Sequence, residues 1–80
     1  MTVYTILRGI DTLGYLEAFC NAKVINKSII DRYKRYSYYL EQKTVFVNEK
    51  HYTILVDVAI HLNVSIQTLY EDIRVLETQI

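Results

Sequence analysis

Near the C-terminus, Gln67, Tyr70, Glu71 and Arg74 recur at three- and four-residue steps, so on a helix they share one face, which Thr78 extends. Their chemistry suits hydrogen-bond readout of a base-pair edge. A side-chain amide pairs bidentately with adenine, a guanidinium pairs with guanine, and a carboxylate accepts from cytosine N4, although it also repels phosphate. Ser65 and Thr68 place hydroxyls at the start of the same helix, where phosphate contacts to hydroxyls and free backbone N–H groups fall. A second group, Arg32, Lys34 and Arg35, stands in the tyrosine-rich run Asp31–Tyr39. Cations interleaved with aromatics suit contact with a phosphate backbone or stacking on single strands. Each residue also has a plainer use. Gln67 and Thr68 can be solvated, Tyr70 can pack on the preceding helix, and Arg74 can pair with Glu71 or Glu77. Tyr33 and Tyr36 fall on a core stripe.

Other chemistries find no support. His51 and His61 are ten residues apart, with no cysteine or carboxylate at zinc-ligand spacing, so no metal site is expected. Cys20 is the only cysteine and has no histidine nearby in sequence; it reads as a small buried apolar residue in a reducing compartment. No glycine-rich loop is present to cradle a phosphate, and the 80-residue chain is too small for a well-formed catalytic pocket. Neither an enzymatic activity nor a cofactor nor a small-molecule ligand is expected. No apolar run approaches the ~20 residues of a membrane span. Arg8, Asp11 and Glu17 interrupt the one stretch that could serve as a signal sequence, so a cytoplasmic, nucleoid-associated location is expected.

The elements that must position these side chains are helical. The sequence has no proline, two glycines and 51% apolar residues. Residues 3–22 carry Val3, Ile6, Leu7, Ile10, Leu13, Leu16 and Phe19/Cys20 at helical spacing, and the spacing predicts a first helix, with a possible break near Gly9–Gly14 and Asp11 capping the second piece. Residues 28–42 predict a second helix with Ser28 as N-cap, and Ile29, Tyr33, Tyr36 and Leu40 toward the core. Arg32, Arg35 and Tyr39 fall on its flank, with Lys34 and Tyr38 nearer the opposite face. The β-prone run Thr44–Val47 predicts a short strand or extended linker. Asn48 then caps a third helix with Tyr52, Leu55, Val58, Ala59 and Leu62 inward, leaving Ile54, Val56 and Ile60 off the stripe. A last helix from about Ser65 turns Leu69, Ile73, Leu76 and Ile80 to the core.

The join between the last two helices meets specific mechanical demands. Ala59 is small where two helices cross. Asn63 tolerates a left-handed turn. Val64 plugs the angle, Ser65 caps the next helix, and Leu69 and Ile73 return it to the core. This stretch resembles bacterial helix-turn-helix regulators. The Val-Ala-x₄-Val-Ser-x-Gln-Thr string is similar to that of the lac-repressor family. Thr68-Leu69-Tyr70-Glu71-Asp72-Ile73-Arg74-Val75-Leu76-Glu77 is similar to the close of DeoR-type winged-helix domains. The resemblance spans residues 57–77 and departs from the pattern at Asn63, where glycine is usual, and in ending at Ile80 where a β-hairpin wing would follow. It implies a small regulator of prokaryotic, phage or mobile-element origin that binds double-stranded DNA in a sequence-specific manner through helix 65–79.

The expected architecture is therefore all-α. Residues 1–25 form an N-terminal helix and residues 26–80 a trihelical core ending in the helix-turn-helix. A homodimer through the first helix is expected, because one recognition helix reads few base pairs and the chain has apolar surface to spare. Charge is balanced, with nine basic and nine acidic residues, which weighs against non-specific affinity for DNA. It is uneven, however: residues 23–50 hold seven basic residues against three acids. The competing expectation, raised by the acidic bias of the last helix, is a helix-turn-helix that packs on protein and binds no DNA.

Overall fold

A computed structural model describes all 80 residues as five helices: α1 (Val3–Thr12), α2 (Leu16–Asn21), α3 (Lys27–Val45), α4 (His51–Leu62) and α5 (Ile66–Leu76). The all-α expectation holds, and no helix is long and apolar enough to cross a membrane. The long α3 is the spine, against which α4 and α5 both pack, while α1 and α2 close one side.

The first apolar stretch is two helices rather than one. Gly9 stays inside α1, and the break falls at Gly14, whose φ of +80° is costly for a residue with a side chain. Asp11 is not a cap. It sits in the last turn of α1, and its Oδ2 accepts from the Tyr33 hydroxyl at 2.8 Å. Asn26, not Ser28, caps α3, with its Oδ1 accepting from the Ser28 backbone N–H at 2.8 Å.

Three tyrosines spaced three apart on α3 are buried, and each hydroxyl reaches a different neighbour. Tyr33 donates to Asp11, Tyr36 donates to Glu77 Oε2 at 2.9 Å, and Tyr39 lies 3.3 Å from His51 Nδ1. The aromatic bodies supply apolar area while the tips keep their hydrogen bonds. Tyr4 of α1 packs on Tyr33 and Tyr36, with ring centroids 5.7 and 5.1 Å away. Tyr39, expected on a flank, is therefore core. Burial and the Asp11 carboxylate push the Tyr33 phenol up to about 12. Burial and Glu77 push Tyr36 further up, and burial raises Tyr39 as well.

No strand forms at Thr44–Val47. The run offers β-branched residues but has no partner strand, so α3 continues to Val45 and a turn follows. Lys50 rather than Asn48 occupies the N-cap of α4, without a side-chain hydrogen bond. Leu55, Val58 and Ala59 are buried as the spacing requires, and so is Ile54, which shares a small cleft with Tyr38 and Phe46. Tyr52, expected inside, is 61% exposed, and Ile60 is 74% exposed. The last helix stops at Leu76. Ile80 lies beyond it, exposed rather than in a core seam, because the tail turns back to pair with the N-terminus. An isolated antiparallel bridge joins Thr2 to Gln79, with Val3 N–H donating to Thr78 O and Ile80 N–H to Met1 O.

Candidate nucleic-acid interface

Two helices meeting at a wide angle need a chain reversal that ordinary residues resist. Asn63 provides it with φ 56° and ψ 47°, and Ser65 restarts the helix, its Oγ accepting from the Thr68 N–H at 3.1 Å. Val64 is partly buried against the core. Across Asn63–Ser65 the chain bends by 105° between α4 and α5, within the range of a helix-turn-helix.

At 100° per residue, buried Leu69 and Leu76 and half-buried Ile73 fix the inner side of α5. Opposite them Gln67, Glu71 and Arg74 form an outward ridge, and all three are exposed. Tyr70, also exposed, lies with Ile66 on the flank toward α4. An open groove of about 570 Å³ runs along this side, lined by Tyr52, Ile66 and Tyr70 together with the three ridge residues. Thr68 is half-buried, and its hydroxyl is 2.9 Å from that of Ser65, so both serve the helix start. Arg74 makes no ion pair, and neither Glu71 nor Glu77 holds it; Glu77 accepts from Tyr36 instead.

The other flank of α5 faces α3 and carries what sequence reasoning missed. Asp72 is fully buried. Its Oδ2 accepts from Arg35 Nε at 2.6 Å, and its Oδ1 accepts from Arg35 Nη2 at 3.0 Å and from Arg32 Nη1 at 2.9 Å. The hydrogen bonds to Asp72 raise Arg35 above its usual value. Arg32 and Arg35 are thus not free surface cations; both are tied to α5. Glu71 approaches Arg32 Nη2 at 3.8 Å. Lys34 is exposed but sits elsewhere on α3, in a polar groove with Asp11, Glu17 and Asp31. The structure thus gathers Gln67, Tyr70, Glu71 and Arg74 on one face with Ser65 and Thr68 at its start, sets Arg32 and Arg35 beside it, and leaves Lys34 apart. The available signal for Asp72 was its place between Leu69 and Leu76, three residues after one and four before the other, which turns a carboxylate inward.

A second feature involves Val56 and Ile60, which the sequence pattern leaves off the core stripe of α4, together with Tyr52, which it turns inward. Tyr52, Val56 and Ile60 follow one another at four-residue steps along α4, and Val56, Ile60 and Ile66 line an open hollow of about 600 Å³ at the elbow. His61, exposed as expected, stacks on Tyr38 with ring centroids 4.9 Å apart.

No family model matches the chain, and no curated protein and no solved structure matches it.

Proposed function

We propose that this chain binds double-stranded DNA in a sequence-specific manner, with α5 in the major groove. The observation that carries this reading is the outward ridge Gln67–Glu71–Arg74 on the second helix of a 105° helix-turn-helix, with its polar heads free of partners in α4. Gln67 suits adenine and Arg74 suits guanine. Tyr70 borders the ridge, and Ser65 and Thr68 put the helix start against the phosphate backbone. The proposal includes a homodimer acting on two half-sites, without cofactor, in a transcription regulator of prokaryotic or phage type. In α1 Ile6 is exposed, as is Leu13 just past its end, and both are available to a partner, whereas Leu7 is committed to the core. Sedimentation at micromolar concentration tests the dimer, and a clean monomer would remove it. Selection of bound duplexes from a random pool tests the reading as a whole. A consensus should emerge, and Gln67→Ala and Arg74→Ala should each relax one position of it. Enrichment of no sequence, or an unchanged consensus in both variants, would defeat the reading.

A second reading, a protein-interaction module, is favoured by one observation: the apolar line Tyr52–Val56–Ile60 and the elbow hollow beside Ile66. It gains if Ile60→Lys dissociates an assembly of this protein while no duplex binds at any salt concentration.

A further inference from the structure

The arginine pair on α3 has more donors than its carboxylate uses. Each guanidinium carries five N–H groups in a planar fork. Asp72 takes one bond from Arg32 and two from Arg35. Arg32 Nε and Nη2 and Arg35 Nη1 have no hydrogen-bond partner in the protein. Yet the one buried, unpaired side-chain polar atom is Ser37 Oγ, so these three nitrogens reach solvent. The side chains keep 29% and 25% of their surface exposed, whereas Asp72 keeps none. A fully buried anion thus holds two cations at the surface with their rotamers fixed, and the charge that Asp72 does not balance is met only by outlying carboxylates, Glu71 at 3.8 Å from Arg32 and Asp31 acting on Arg35. That arrangement suits an anion with several oxygen acceptors, because the ordering cost has been met before the ligand arrives.

The location narrows the ligand. Asp72 and the arginines lie along the α3 flank of α5, beside the ridge that carries Gln67, Glu71 and Arg74. A helix seated in the major groove has a phosphate backbone along each flank. The groove on the opposite flank, with Tyr52, Ile66 and Tyr70, has one cation in its lining, Arg74 of the ridge itself, against two arginines on the α3 side. We infer that Arg32 and Arg35, organised by Asp72, form a binding site for a DNA backbone phosphodiester on the α3 side of α5. Glu71, with its carboxylate near Arg32 and its side chain half-exposed, offsets part of the charge until it swings away. This site rests on the reading of α5 as a DNA-recognition helix.

The test is duplex binding by the full chain, followed by fluorescence anisotropy over a range of sodium chloride concentrations, for wild type, Arg32→Gln, Arg35→Lys and Lys34→Gln. Each lost phosphate contact lowers the slope of log affinity against log salt by about one. Arg32→Gln should lower it by about one, with Arg35 still holding Asp72. Arg35→Lys keeps the charge and should hold the slope while weakening binding. Lys34→Gln, away from the flank, should leave both unchanged. Circular dichroism of each variant at the assay temperature establishes that it is folded, and Arg35→Lys keeps the comparison valid if Arg32→Gln is not. An unchanged slope in Arg32→Gln, or binding weakened by Arg35→Lys no more than by Lys34→Gln, overturns the site while DNA binding stands. Absence of duplex binding by wild type removes the site together with the DNA reading. Thermal stabilisation by inorganic phosphate at matched ionic strength, abolished by Arg32→Gln without any change in duplex slope, overturns the assignment to the DNA backbone in favour of a free anion.

Discussion

The Arg32–Asp72–Arg35 contact is asymmetric, and the asymmetry can be measured. Asp72 is fully buried, whereas the two guanidiniums keep about a quarter of their surface in water. Replacing both arginines with methionine keeps much of the apolar stem and removes all three hydrogen bonds, leaving a carboxylate in the interior without partners. Stranding a buried charge in this way costs ~3–5 kcal/mol. Asp72→Asn strands nothing comparable, because the arginines can turn outward, and should cost ~1–2 kcal/mol. A chain of this size has a total stability of roughly 4–12 kcal/mol, so the double arginine variant approaches unfolding. Replacing all three, Arg32→Met with Arg35→Met and Asp72→Leu, should recover stability to within about 1 kcal/mol of wild type, since a buried ion cluster is near neutral against apolar residues of similar volume. Urea unfolding followed by far-ultraviolet circular dichroism, with slopes compared between variants, gives the numbers. Asp72→Asn costing as much as the double arginine variant would refute the reasoning.

Further expectations concern the elements that hold the site. Gly14→Ala should cost about 1 kcal/mol because of its φ of +80°, although a Cβ there meets nothing within 4 Å; Gly9→Ala, inside α1 with equally open space, should stabilise by up to about 1 kcal/mol, both by thermal or urea unfolding. Ser65→Ala removes the bond to the Thr68 N–H and should cost about 1 kcal/mol, with Ser65→Asp restoring it. Tyr33 holds its proton to about pH 12 when folded and to about pH 10 when unfolded, so the folded state binds more protons between those values. Its contribution is complete below pH 10 and is lost as pH rises through 12, by at most ~3 kcal/mol. Ultraviolet titration of the phenolate should show late-ionising tyrosines, and Tyr33→Phe should flatten part of the alkaline loss of stability; ionisation of every tyrosine near pH 10 would contradict it.

Local features of the fold were legible in the sequence, and distant pairings were not. Asn63, Ser65, Leu69 and Leu76 act within a few residues of one another, so their spacing alone specified the turn, the cap and the inner side of α5. Asp72 meets Arg32 and Arg35 across 40 and 37 residues, and nothing in a single sequence links them. The arginines therefore read as free cations and the aspartate as part of an acidic bias. Thr44–Val47 misled because β propensity expresses itself only when a neighbouring strand exists. Tyr52 and Ile54 misled in opposite ways: each was judged by its place on a stripe, yet Tyr52 is exposed and Ile54 is buried, because burial on α4 depends on how α3 and α5 pack against it. The tyrosines of α3 were legible as core at Tyr33 and Tyr36. Tyr39 was not, because its hydroxyl finds His51 only after α4 has docked.

Recognition of duplex DNA by α5 is the central claim, and a salt titration of duplex binding by the intact chain tests it most directly. Binding should be measurable at ~50 mM salt, weaken linearly on a log–log plot towards ~200 mM, and be reduced by Gln67→Ala and Arg74→Ala for the selected sequence more than for a scrambled one. No measurable duplex affinity at the lowest salt, from a protein that is folded by circular dichroism, would contradict it.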